Sequence, residues 1–598
     1  MKKIKNTIIS TACATLAILS VACSNDDVID GKKGTQINAA ENIEFDLSFS
    51  DYNAEDTIDH ATRAAQDAEL AKPRIVPMGD MMYAEVSLQR DTTKATPAEK
   101  AAATRALTDG TYTIYAYQGT TLKGTLKGTV SSNVFTATSS NKEIVLEPGT
   151  YTFVCCNDKV QVAGETWTIN RADAGTALIG ITAGKVITAT PRKQKVAFQM
   201  QHVASRVRIQ LQADGFPVWD ATGVFNSTSA IPEQMEFNPS TQTYTYATKT
   251  GASLSENITF RTTPHDEYYN HEPYYVEQVP SPYGGSPNWQ TKYIYLLPTT
   301  SGANLKLSLT GGTAYRLPLS GRSVKFPALA SMAANGAYTL RMKLHYNYIY
   351  LYSDGTTGQK TDADYSSKTP IAVVVSRSKR IAAALKDIQM TNAGWGQNYI
   401  TATTTASETL SDHLSDLNGY DYTYSTTYST DGIVKGDDYA NYHAFYEAAH
   451  YNPGVTVTGA NIGKWYLPSI GEWNLYFKNL VYLAANENLT EKTDFMGNPT
   501  PPYYGNLYPE VFAVNISIPN IYTTVGYFYW FYLSSSESNG RQFYSYCANV
   551  RNGGYNIKLE EGSDARHFVS KRDKNASTDT SGNGGHSPIY LIRPFVRY

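Results

Sequence analysis

His443 and His450 lie at i, i+7 in a stretch of helical character, too far apart to ligate one metal ion without a third element. Cys155 and Cys156 are neighbours, so on a strand their side chains point to opposite faces; two buried thiols are expected rather than a bridge. Cys547 makes the set of three cysteines beyond the N-terminal leader odd, with no metal-like spacing, so a disulfide framework is not what holds this chain. The acidic stretches "DGIVKGDD" and "LEEGSDAR" could offer oxygen ligands to Ca2+. H-E-x-x-H, G-x-S-x-G and the phosphate-cradling G-x-x-x-x-G-K-[ST] are all missing. These residues predict a non-enzyme without a resident cofactor.

The reactive group with the clearest signal is the thiol of Cys23. After Lys2, Lys3 and Lys5 the chain is uncharged and apolar or small from Ile8 to Ala22. That is a secretory signal, too short to span a bilayer. Ser20-Val21-Ala22-Cys23 resembles a bacterial lipobox, which implies cleavage before Cys23 and acylation of its thiol. The alternative is an ordinary signal cut after Ala22, with Cys23 incidental. Ser24-Asn25-Asp26-Asp27 is similar to the acidic export signal of surface lipoproteins in Bacteroidetes-type bacteria. The expected address is the cell surface, as an outer-membrane lipoprotein precursor. A formal charge of -3 argues against nucleic acid as a partner. The 46 tyrosines suit recognition surfaces, although strand content alone accounts for many of them.

The elements that must position these groups are mostly strands. Residues 23–105 read as a tether with one or two strands ("IEFDLSFSD", "MYAEVSLQ") rather than a closed domain. From residue 106 the pattern alternates strongly, with turn signals at short spacing, as in a β-sandwich. "RVRIQLQ" puts Val207, Ile209 and Leu211 on one face; Leu305, Leu307 and Leu309 repeat the pattern, as do Tyr338, Leu340, Met342 and Leu344. Two sandwiches, 106–205 and 206–345, are expected. Residues 346–598 predict an α+β domain: a buried strand at Ile371–Val375, a short helix in "SRSKRIAAALKD", another helix in "DDYANYHAFYEAAHYN", and a capped helix at "LPSIGEWNLYF". There Ser469 is placed to cap and Glu472 to close the capping box, with Trp473, Phe477, Leu480 and Ala484 on one face.

Two resemblances accompany this pattern. "RALTDGTYTIYAYQ", "LEPGTYTFVCCN", "KVAFQMQHVASRVRIQL" and "GAYTLRMKL" together resemble the fimbrillin family of Bacteroidetes pili, the FimA-type pilins. The resemblance implies two transthyretin-like β-sandwich domains, removal of an N-terminal segment after an arginine, and assembly with other pilin subunits by donor-strand exchange. The segment 346–598 is similar to C-type-lectin-like domains. Their W-x-L-P-[ST]-x-x-E-W is met by Trp465, Leu467, Pro468, Ser469, Glu472 and Trp473, and their closing motif by Ile592, Arg593, Pro594 and Phe595. The Y-W-S-S motif is met imperfectly around Trp530, with residues inserted before Ser534. Trp465, Trp473 and Trp530 are expected in the core, and Arg593 beside Glu472 or Glu537 as a fold-fixing ion pair. The Glu-Pro-Asn and Gln-Pro-Asp tripeptides of calcium lectins are missing.

A mainly β chain of this order reads as a fimbrial tip subunit, accepting a donor strand and binding an external ligand through its last domain. The alternative is a free-standing surface lipoprotein that binds glycans. Arg105-Ala106, just before the first strong strand, is the preferred cut because it also releases the "MYAEVSLQ" strand; Arg63-Ala64, its rival, would leave that strand attached. Candidate ligand contacts are Tyr420, Tyr422 and Tyr424, in a stretch read as an exposed loop, with Glu537 and Asn539 of a polar loop. The ligand is a host or bacterial surface glycan or protein.

Overall fold

The computed structural model describes residues 36–49, 70–90, 109–491, 527–551, 565–575 and 588–598, with short breaks inside these spans. Cys23, Arg63, Ala64, Arg105 and Ala106 lie outside the described residues, as do the side chains of Trp530 and Cys547. The fold is mainly β.

Besides a two-residue strand at Ile37–Asn38, three described strands precede residue 105: β1 (Ile43–Phe49), β2 (Arg74–Pro77) and β3 (Met82–Arg90). They serve two different sheets. β1 joins β4 (Gly110–Gln118), β5 (Thr121–Ser131), β6 (Val134–Ala137), β7 (Gly149–Asn157), β8 (Leu178–Ile187) and β9 (Gln194–His202). These seven close on themselves in the order β8-β9-β1-β6-β5-β4-β7. Alternation fills both faces of β4: Tyr112, Ile114 and Ala116 enter the barrel core, while Tyr115 and Tyr117 pack outside it with Trp167. Cys155 and Cys156 divide between the same two clusters as free thiols, the outcome that strand periodicity dictates.

The second sheet pairs β10 (Ser205–Ala213) in parallel with β11 (Ala337–Tyr346). β3 then runs antiparallel to β11 from Tyr338↔Arg90 to Tyr346↔Met82, with β2 outside it. The predicted apolar faces are all buried: Val207, Ile209 and Leu211; Leu305, Leu307 and Leu309; Tyr338, Leu340, Met342 and Leu344. The β2–β3 hairpin also reaches the third module. Glu85 sits 3.6 Å from Lys360, Asn347 N–H donates to the Met81 carbonyl at 2.9 Å, and the Lys360 ammonium lies 5.3 Å from the Tyr83 ring centroid. One apolar cluster runs from Leu88 through Tyr346 and Tyr350 to Trp473 and Phe595, so the second and third modules share a core.

The third module combines a six-stranded and a five-stranded sheet among the described residues. It includes β12 (Pro370–Ser376), β13 (Ile381–Ala384), α1 (Gly419–Tyr424), α2 (His443–Ala449), α3 (Ile470–Asn479), β14 (Tyr527–Glu537), β15 (Gln542–Arg551), β16 (Ala565–Asp573), β17 (Pro588–Ile592) and β18 (Phe595–Arg597). The "IAAA" expected as a short helix is instead β13, fully buried between β12 and β18. Four residues are too few to nucleate a helix, and two flanking ladders satisfy the backbone instead. The capping box of α3 forms as predicted: Ser469 accepts from the Glu472 N–H, and Glu472 accepts from the Ser469 N–H at 2.9 Å. Trp473, Phe477 and Leu480 are buried, but so are Asn474 and Tyr476. The helix is enclosed, not merely amphipathic.

Candidate functional site

The stretch "GYDYTY" is a helix, α1, and its tyrosines face inward. Tyr422 is fully buried; its hydroxyl donates to Asp416 at 2.6 Å and accepts from Thr405 at 2.7 Å. Tyr424 is half-buried and donates to the Trp465 carbonyl at 2.5 Å. Burial pushes both phenols above their ordinary range. Tyr420 is half-buried, with its ring against Tyr424 and Tyr466 and under the Arg597 guanidinium. The reading of these three as exposed loop contacts is corrected: a two-residue spacing of large rings looks like a loop or strand, but a short helix turned onto the α3 side of the core buries them better.

Glu537 is also a core residue. Its carboxylate accepts from Ala402 N–H at 2.9 Å, from Thr403 N–H at 2.5 Å and from the Thr403 hydroxyl at 2.7 Å. It forms an ion pair with Lys574, both side chains being wholly buried. Lys574 donates in addition to the Ile400 carbonyl at 2.5 Å and lies 4.9 Å from the Trp395 ring centroid. Burial of this ammonium holds its pKa below the ordinary lysine range. Arg593 pairs neither with Glu537 nor with Glu472; it meets Asp387 at 2.6 Å, which also accepts from Tyr532. Glu537 and Arg593 therefore find partners other than one another: each takes the opposite charge that the sheets bring to it, regardless of motif spacing.

The Glu537–Lys574 pair anchors the backbone of 400–403, and the residues just before it project outward. Tyr399 is 79% exposed and holds a positive φ of 66°, and Ile400 is 46% exposed. Asn539, half-buried, organises the adjoining β14–β15 tip: its amide donates to Glu408 at 2.9 Å, and its carbonyl accepts from the N–H groups of Arg541 and Gln542. Gly540 abuts the Tyr399 backbone; a Cβ there would meet the Tyr399 carbonyl carbon at 3.2 Å. Gln397 donates to Asn441 at 2.7 Å, tying this loop to the segment that carries Tyr439, itself 54% exposed. Sequence reasoning missed Tyr399 and Tyr439. The available signal was a large ring between polar neighbours, "QNYIT" and "DDYAN", without alternation. The strained φ at Tyr399 costs about 1 kcal/mol or more and is held by the buried pair behind it.

His443 contacts Glu447 at 3.1 Å and His450 caps back to the Tyr446 carbonyl. Asp431, from one of the acidic stretches, accepts from Ser429, Tyr442 and the Ile433 N–H. Among the described residues no group of three or more His, Cys, Asp or Glu side chains is arranged to hold a metal ion, and no helix is long and apolar enough to cross a membrane.

No protein family matches the chain, and neither does any curated protein. Solved structures do resemble it. A candidate cell adhesion protein from Bacteroides uniformis aligns at 17% identity and TM-score 0.27, over 39% of this chain and 86% of that one. A fimbrial protein from Bacteroides vulgatus aligns at 13% identity and TM-score 0.27, over 42% and 92%. A fimbrial protein from Bacteroides ovatus aligns at 10% identity and TM-score 0.22, over 82% and 94%. Two of these structural neighbours are described as fimbrial proteins and one as a candidate cell adhesion protein.

Proposed function

We propose that the chain is an adhesive subunit of a surface fibre, exported as a lipoprotein acylated at Cys23 and matured by proteolysis. Its C-terminal lectin-like module carries the ligand-binding face. One observation carries this reading: the segment ahead of residue 105 lends β1 to the first sheet and β2–β3 to the second. β1 and β3 bury apolar side chains: Ile43, Phe45 and Leu47 on β1, and Met82, Tyr83, Val86 and Leu88 on β3. Withdrawing either strand would expose roughly 5–10 kcal/mol of buried side chains, comparable with the whole stability of a domain. An emptied site would have to be refilled, which is what a donor strand from another pilin does.

We infer a cut after Arg63 in place of Arg105. Cleavage after Arg105 frees β1 together with the hairpin, whose loss would also cut the ties through Glu85, Met81 and Tyr83 to the third module. Cleavage after Arg63 frees β1 and leaves the hairpin in place. That supports Arg63 over Arg105. N-terminal sequencing of the subunit from sheared surface fibres is expected to give Ala64. Ala106 would mean that the hairpin leaves too, and an acylated Cys23 on every molecule would overturn maturation.

The hairpin clamp also favours a second reading, a surface lipoprotein that keeps its N-terminal segment and binds glycans. In both readings Cys23 is lipidated, so Cys23→Ala should abolish incorporation of a palmitate analogue; undiminished labelling would refute it. For the ligand face we infer Tyr399, Ile400 and Tyr439, flanked by Asn539. Exposed, rigid rings with polar neighbours suit either a glycan or a protein surface.

A further inference from the structure

The barrel is closed by one weak seam. β1 pairs in parallel with β9 along its whole length, from Ile43↔Gln194 to Phe49↔Met200. Toward β6, the described ladder consists of a single register pair, Asp46↔Val134. Beside that bridge lies a notch of about 200 Å3, lined by Ala40, Ile43, Phe45, Leu126, Phe135 and Ala137. Val134 on its rim is 63% exposed. The notch floor is apolar, with Phe45 and Phe135 meeting edge to face at 5.9 Å. Its β1 rim is acidic: Glu44 and Asp46 project outward, and both face Lys195 on the β9 side, at 4.0 and 2.9 Å. Lys127 belongs to β5, with β6 between it and the seam.

We propose that this seam is where an extended strand of another subunit first docks, while β1 is still in place. The inference rests on the strand-addition reading and names its entry point. The incoming strand would pair with the underused backbone edges of β1 and β6. Its period-two pattern is set by the site: aliphatic side chains inward to the notch, Lys or Arg outward beside Glu44 and Asp46 as cross-strand partners. Docking at a seam that already has an open edge needs no prior unfolding. Once seated, the strand competes with β1 for the wall of the barrel.

A photo-crosslinkable synthetic peptide of alternating valine and lysine, added to the full uncleaved chain, tests this. The expected result is binding by fluorescence anisotropy with crosslinks on β6. Glu44→Lys, a change at an exposed side chain, and Ala137→Trp, which fills the notch, should each weaken binding about tenfold, with melting curves confirming that both variants fold. A valine–glutamate peptide should bind far more weakly. No binding, or equal binding of the acidic peptide, would overturn the proposal. Crosslinks elsewhere that neither variant affects would also overturn this entry point, while leaving strand addition itself intact and the fibre-sequencing result unaffected.

Discussion

Lys574→Met is expected to destabilise the C-terminal module by about 3–5 kcal/mol, because it strips a wholly buried carboxylate of the ion-pair partner it has among the described residues. Glu537 would retain the N–H groups of Ala402 and Thr403, but hydrogen bonds alone do not compensate a charge removed from water. The loss is a large fraction of the 5–15 kcal/mol that holds a typical domain. The Ile400 carbonyl would lose its Lys574 donor in the same step, so the loop carrying Tyr399 should loosen together with the core. Urea unfolding followed by tryptophan fluorescence reads this directly, since Trp395 lies against both Lys574 and Phe543. The double variant Glu537→Gln/Lys574→Met removes both charges while keeping an acceptor for the two N–H groups, and should recover most of the loss. A single variant within about 1 kcal/mol of the parent would show that the pair is dispensable, and the anchoring role assigned to it would fall.

The second large effect is a pH dependence centred on Glu472. Burial pushes this carboxyl up to about 8, against the hydrogen bonds it accepts from the Ser469 N–H and the Tyr466 hydroxyl. In the unfolded chain the same group releases its proton near 4.5. Between those two values the folded state holds more protons than the unfolded one, so stability falls as pH rises across the window. The total over the window is on the order of 4 kcal/mol. Glu85, Asp354 and Asp431 are held below their ordinary values; the stability they contribute is present above the unfolded carboxylate range and lost only under more acidic conditions, so they leave the slope between about 5 and 8 to Glu472. Urea midpoints measured across that range should decline in the parent and stay nearly level in Glu472→Gln. A parent midpoint that is flat or rises from pH 5 to 8 would refute the raised carboxyl.

What was legible in the sequence was local in origin. Period-two alternation placed Val207, Leu307 and Leu340 and their neighbours in the core, because a strand must turn alternate side chains to one face. The same periodicity separated Cys155 from Cys156. The Ser469–Glu472 capping box was readable because both partners lie within one helical turn. Other features were settled by contacts between residues far apart in the chain. β3 lies beside β11, about 250 residues later, and nothing in "MYAEVSLQ" names that partner. "IAAA" became a strand because β12 and β18 flank it, overriding alanine's helical preference. Glu537 found Lys574, and Arg593 found Asp387, because folding delivers opposite charges to the same dry volume; motif spacing does not encode which ones. Tyr422 went inward and Tyr399 outward for the same reason. A ring's composition says that it can bury or bind, and only the packing of the surrounding elements decides which face of it meets water.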